Sequence, residues 1–234
     1  METATLKPLA AALPPPPSLN HRILTATTVP HFKQIHAQIL RSGLDISAPF
    51  LSRLLALPLA SSPSSLDYAL SVLLHSPSPD FRLANRALRA LSRAADPRRT
   101  LVAYGRLRRA GLALDRFSFP TVLRAAARAR GVAGVVAREV HGLAAKTGLD
   151  ADPFIQTAVV GAYTALGRAA EGRMVFDRMH HRDLVAWGVM LDGYCQSGCY
   201  NEALQLFDEM KSSGVIPDRV ILATILSACA RLEI

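Results

Sequence analysis

Five aspartates, Asp80, Asp115, Asp152, Asp183 and Asp218, punctuate the chain at intervals of 35, 37, 31 and 35 residues. Each stands just before a stretch of helical character, where a carboxylate can cap the free amides of a helix start. Ser52, Asn85 and Thr157 also sit near helix starts, and taken singly they read as caps too. Other groups that could do chemistry are sparse. Cys195, Cys199 and Cys229 form an odd set with no CxxC pair. No cluster of His or carboxylate accompanies them, so they read as buried or idle thiols in a reducing compartment, not as metal ligands or a disulfide. His36 and His141 occupy equivalent places and read as packing residues, whereas His180 and His181 fall in a loop and read as solvated. Trp187 and Phe207 read as core aromatics. There is no GxGxxG, phosphate loop, GxSxG or HExxH. These absences predict no enzyme, no cofactor and no metal site.

The elements that must position the aspartates are clearest in Leu184 to Asp218. That stretch reads as two amphipathic helices joined by a turn. Val185, Val189, Met190 and Tyr194 are expected on the inner face of the first, and Ala203, Leu204, Phe207 and Met210 on that of the second. Asn201 is the expected N-cap of the second helix; Lys211, Gly214 and Pro217 form its stop signal. Neither helix could bury its apolar face alone, and the unit repeats. Phe176-Asp177-Arg178-Met179 returns as Phe207-Asp208-Glu209-Met210 at an offset of 31, as do Tyr163 and Gly167 at Tyr194 and Gly198. Gln34–Asp45 returns as Glu139–Asp150 at 105, and Phe119–Arg128 as Leu222–Arg231 at 103. Leu101, Tyr104 and Leu107 return as Leu204, Phe207 and Met210, again at 103. A superperiod of three unequal helical hairpins predicts an all-α fold, an α-solenoid of stacked helix-turn-helix repeats.

The expected units are 28–45 (partial), 46–80, 81–115, 116–152, 153–183, 184–218 and 219–234, the last holding a single helix. Val220, Leu222, Ile225 and Leu226 of that last helix are expected to face a missing second helix, giving a frayed or sticky end. In the unit 116–152 the second helix is expected over Val132 to Lys146, with Gly148 stopping it. Pro153 suits a helix start, and Gly172, mid-helix, should cost about 1 kcal/mol relative to Ala. Residues 57–79 are rich in Ser and Pro and predict a loose turn. Residues 1–27 differ in kind, with one acidic residue, Glu2, and a stiff Pro14–Pro17 run. They read as a disordered N-terminal segment. Low acidity favours an organelle transit peptide, although the stretch is neither Arg-rich nor notably Ser-rich.

Half the 234 residues are apolar, enough for a sizeable stacked core. Lys and Arg number 27 against 18 Asp and Glu, a formal charge of +9. That balance points to a polyanion or acidic surface as partner, or to a solvated Arg-rich face. No apolar run reaches the ~18 residues of a membrane span.

Unit order, unit length and local motif together resemble the pentatricopeptide repeat family, in the plant subclass whose long, short and standard units cycle in threes. The resemblance is carried by KQIHAQILRSGL (33–44), FSFPTVLRAAARARG (117–131), AYTALGRAAEGRMVFDRM (162–179) and GYCQSGCYNEALQLFDEMKSSGVIPD (193–218), and it covers residues 28–234. It implies a right-handed superhelix that binds single-stranded RNA of a mitochondrial or chloroplast transcript at one base per repeat, in editing, splicing or processing with other RNA-processing proteins. In such proteins the fifth residue of a unit and its terminal Asp meet one base edge, while apolar residues of adjacent units sandwich the ring. Asn85 with Asp115 then implies uracil, Thr157 with Asp183 guanine, and Ser52 with Asp80 leans to guanine. Gly188 leaves Asp218 without a partner, and Pro120 with Asp152 specifies nothing. The implied core is U-N-G-N. Arg124, Arg128 and Arg130 are the phosphate-facing candidates. Some relatives in this subclass end in a zinc deaminase-like domain with H-x-E and C-x-x-C, and nothing here matches it. Two alternatives stand beside this reading. One is a protein-binding scaffold like the tetratricopeptide repeats, which also place Ala and Phe as Ala203 and Phe207 are placed. The 31/35/37 cycle and the terminal Asp argue against it. The other is a truncated, non-functional fragment.

Overall fold

The computed structural model describes residues 21–22, 25–42, 63–75, 80–93, 96–129 and 133–232. Ser52, Arg130, the proline run of the N-terminal segment and much of the Ser/Pro-rich stretch lie outside these residues. All regular structure among the described residues is helical, and the chain divides into two compact units, Met1–Leu57 and Pro58–Ile234. The first contains α1 (Val29–Arg41), where the Thr28 hydroxyl accepts from the His31 amide at 3.4 Å and Phe32, Ile35 and Ile39 are buried.

The second unit holds ten described helices: α2 (Pro63–Leu74), α3 (Phe81–Leu91), α4 (Pro97–Arg109), α5 (Ser118–Ala129), α6 (Ala133–Lys146), α7 (Pro153–Ala165), α8 (Ala169–Asp177), α9 (Leu184–Gln196), α10 (Tyr200–Ser212) and α11 (Arg219–Arg231). They pair as the hairpins α3/α4, α5/α6, α7/α8 and α9/α10. The first helices form a continuous inner row, α3 on α5, α5 on α7, α7 on α9 and α9 on α11, and every second helix also packs on the first helix of the next hairpin. Ion pairs lace the outer row: Arg99 with Asp67 between α4 and α2, Arg108 with Glu139 between α4 and α6, and Arg173 with Glu209 at 2.8 Å between α8 and α10. This is the all-α repeat solenoid that the period implied.

Helix starts follow the sequence closely. Pro97 and Pro153 take first-turn positions where a missing N–H costs nothing, behind the caps Asp96 and Asp152. Gly214, at φ +75°, ends α10 by letting the Val215 amide reach back to the Met210 carbonyl. Asn201 is not a cap: α10 starts one residue earlier, at Tyr200, and Asn201 is exposed in its first turn. The cause is the tight turn after α9, in which the Cys199 amide bonds the Tyr194 carbonyl at 2.9 Å and brings the chain into helix at once.

The core runs between the two rows. Around α9 it gathers Phe176, Trp187, Met190, Leu191, Leu206 and Met210, with Phe176 and Trp187 edge-to-face at 4.9 Å. Leu206 replaces the expected Leu204 and Phe207 as the most buried middle residue of α10; those two are only partly buried. Val185 faces outward, contrary to expectation, because almost every residue of Leu184–Cys195 is apolar and periodicity alone does not single out the open stripe. On α11, Ile225 is buried against the core, while Val220, Leu222 and Leu226 are exposed.

Gly172 has a packing reason that its helix propensity hides. A methyl there would meet Thr164 Cγ2 at 3.0 Å. Gly193 is tighter still, since its Cβ would fall 2.3 Å from Thr164 Cβ and Cγ2. These two glycines let α8 and α9 close on α7 around one threonine.

Candidate functional site

Each of the five recurring aspartates caps an inner-row helix. Asp80 accepts from the Arg82 amide (2.7 Å), Asp115 from Ser118 (2.8 Å), Asp152 from Phe154 (2.9 Å), Asp183 from Ala186 (2.8 Å) and Asp218 from Val220 and Ile221 (3.0 and 2.9 Å). Capping fixes where the residue two places after the aspartate points. Phe117, Phe154, Val185 and Val220 hold that place, and they are 64, 69, 62 and 63% exposed. Four large apolar side chains therefore stand in solvent at one repeated position, two residues after Asp115, Asp152, Asp183 and Asp218, while Arg82 takes that place after Asp80. That rule was available in the sequence but was missed, because an exposed apolar residue carries no polar signature.

Thr157 lies where it could meet a ligand. A groove of about 390 Å³ runs over α5, α7 and α9, and its lining includes Pro120, Arg124, Phe154, Thr157, Val185 and Val189. Thr157 is half-buried there, and its hydroxyl makes no hydrogen bond among the described residues. It is thus an open donor and acceptor set in an apolar cleft, with exposed Phe154 and Val185 in the same wall. Arg124 is exposed, without an ion-pair partner among the described residues. Asp183 is exposed at the start of α9, two residues from Val185. A second groove, about 600 Å³, lies between α9 and α11 and includes Val220, Thr224, Arg219 and Arg231.

Asn85 and Asp115 are brought together, but differently. Asn85 is 1% exposed and five residues past Asp80, well inside α3, so it is not an N-cap. Its Nδ2 donates to the carbonyls of Phe81 (2.9 Å) and Ala113 (3.0 Å), and its Oδ1 accepts from the Asp115 amide at 3.4 Å. Asp115 in turn binds Arg89 through both oxygens, at 3.0 and 2.8 Å. Burial pushes its carboxyl up, but Arg89 and the Ser118 hydroxyl and amide outweigh that and hold it below the ordinary carboxylate range. Asp152 is ion-paired with Arg116, Oδ2 to Nη2 at 3.2 Å. Gly188 is partly exposed, and a methyl there would touch only Ile221 at 3.6 Å, so it is not needed for close packing. Arg128 is exposed on α5.

His141 packs on Tyr163, Nδ1 to hydroxyl 3.3 Å, with burial first and nearby Arg178 second lowering its pKa. Among the described residues no group of three His, Cys, Asp or Glu side chains could hold a metal ion. None of the described helices is long and apolar enough to cross a membrane.

Comparison with known proteins agrees with this architecture. The PPR repeat family model matches residues 182–231. Pentatricopeptide repeat-containing protein At4g14820 of Arabidopsis thaliana is 43% identical over 202 residues, which are 86% of this chain and 27% of that protein. At3g12770 of the same plant, also a pentatricopeptide repeat-containing protein, is 31% identical over 212 residues, 89% of this chain and 30% of the relative. The chain spans about a quarter to two-fifths of the length of the curated relatives it matches. Among solved structures, maize PPR10 superposes with a TM-score of 0.66 at 18% identity, over 86% of this chain and 29% of that one. PPR10 in complex with an 18-nt psaJ RNA element gives 0.66 at 24% identity, over 91% and 32%. At those identities the likeness speaks for the fold. The sequence relatives carry the assignment further: repeats of this length, capped in this way and matched across most of the chain by proteins named for the same repeat, make this chain a member of the pentatricopeptide repeat family.

Proposed function

We propose that this chain is a single-stranded RNA-binding module that acts by recognition rather than catalysis, taking about one base per hairpin. The observation that carries the reading is the groove over α5, α7 and α9, where the free Thr157 hydroxyl stands among exposed Phe154 and Val185, with Arg124 at hand. Aromatic and aliphatic side chains stack on any base, a hydroxyl tells base edges apart, and arginine neutralises phosphate. The complex of PPR10 with an RNA element supports it by analogy of fold. Thr157 with Asp183 is the proposed guanine-reading pair. Asn85 with Asp115 is the proposed uracil pair, but reading there requires Arg89 to leave Asp115 and the Asn85 amide to turn from Ala113. The plant subclass of cycling long, short and standard units, and the unit boundaries at the aspartates, belong to the same proposal. So does action in editing, splicing or processing in a mitochondrion or chloroplast. One relative, 32% identical, is named as mitochondrial.

The test is binding of labelled single-stranded RNAs by fluorescence anisotropy, comparing the U-N-G-N core with its U-to-A and G-to-C variants over a salt series. Base-dependent binding that Thr157→Ala flattens supports the proposal. Salt-sensitive binding indifferent to base would reduce the chain to a basic surface.

A further inference from the structure

Two of the exposed rings on the inner row already have an occupant between them. Phe117 lies in the turn just before α5 and Phe154 is the second residue of α7, at the starts of neighbouring helices of that row. The Arg116 guanidinium carbon lies 5.5 Å from the centroid of Phe117 and 5.7 Å from that of Phe154, within cation–π reach of both. Its Nη2 is also 3.2 Å from Asp152 Oδ2, and the Asp152 side chain is only 14% exposed. Two cation–π contacts and one ion pair therefore hold one planar cation beside two rings that face solvent. The hydrogen-bonding repertoire of this place is empty otherwise: the fifth residue of α5's unit is Pro120, which offers no donor, and Asp152 is spent on Arg116 and on the Phe154 amide. The next place along the row differs. Phe154 and Val185 share an open groove there, with the unpartnered Thr157 hydroxyl in its wall.

We propose that Arg116 is a built-in plug. Its guanidinium fills the slot that a base would take between Phe117 and Phe154, so the unit 116–152 lets one nucleotide pass without stacking or reading it. This rests on the RNA-binding reading above. Asp152 is the positioning residue, because it fixes the guanidinium in the slot while capping α7. Specificity is then discontinuous along the chain, with a silent position immediately before the Thr157 groove.

The experiment compares wild type with Arg116→Ala on RNAs that carry either a base or an abasic linker at the nucleotide preceding the guanine of the U-N-G-N core. Wild type should bind the two within about twofold. Arg116→Ala should prefer the base by about tenfold, the size of one stacked base, with a salt slope equal to that of wild type. A wild type that already loses several-fold to the abasic linker would overturn the plug, as would an Arg116→Ala variant that binds both RNAs more weakly with a shallower salt slope. The last result would make Arg116 a phosphate contact. Asp152→Asn keeps the cap and loses the ion pair, and it should move toward the Arg116→Ala pattern even if that variant folds poorly. Failure of wild type to bind any RNA would instead overturn the underlying reading, and the plug with it.

Discussion

At the scale of single residues, Asn85 and Thr157 separate two roles that the sequence made look alike. Each is the fifth residue after a capping aspartate, and the pattern offers nothing to tell them apart. What differs is the neighbourhood: Asn85 has the Ala113 carbonyl and the Asp115 amide within reach, whereas Thr157 faces an open groove. Truncating the buried Asn85 would remove its bonds to the Phe81 and Ala113 carbonyls and the Asp115 amide. Asn85→Ala should therefore lower the unfolding free energy by about 1–3 kcal/mol in urea, while Thr157→Ala should change it by no more than about 0.5 kcal/mol. His141 gives a pH-dependent counterpart. Its folded pKa lies below its ordinary value, first through burial, so the unfolded chain binds the proton more tightly. Stability is then full above the unfolded value of about 6.5 and is lost as pH falls below it. Urea midpoints at pH 7.5 and 5.5 should differ in that sense, and His141→Gln should shrink the difference. His36, lowered by burial as well, adds in the same direction.

At the scale of elements, helix starts were legible because their chemistry is local: an aspartate, often a proline, then an apolar period. Helix contacts were not, because they depend on which surfaces meet. In the sequence Gly172 is only a weak point in a helix and Gly193 carries no signal, yet both mark where α8 and α9 press on Thr164 of α7. Gly193→Ala should cost about 1–3 kcal/mol from overpacking, read as a lower urea midpoint with unchanged slope. Adding Thr164→Ala should recover part of that loss, since the two sites share the contact and their effects should not add. The exposed apolar residues two places after the aspartates are illegible for the complementary reason. Val185 has apolarity as its only property visible in the sequence, which suits core and surface alike, and the packing of α9 leaves that stripe open.

At the scale of the whole chain, the repeat arithmetic was sufficient for the fold class. Offsets of 31, 103 and 105 fix hairpins stacked in one dimension, and the row of first helices α3, α5, α7, α9 and α11 is their physical form. Charge was legible as a total but not in its distribution. Arg89 and Arg116 are held by Asp115 and Asp152, whereas Arg124 is open. Binding of a polyanion should accordingly weaken with salt, but with a slope of only a few phosphates rather than one set by the formal +9.

Base selection by the groove holding Thr157 is what the proposed function stands on. It is tested most directly by anisotropy titrations of wild type and Thr157→Ala with the U-N-G-N RNA and its guanine-to-cytosine variant at one fixed salt concentration. Wild type should favour guanine by about five- to tenfold, the worth of one hydrogen bond made in place of water, and Thr157→Ala should bind both RNAs alike. Equal binding of the two RNAs by wild type, or a guanine preference that survives in Thr157→Ala, would contradict the claim.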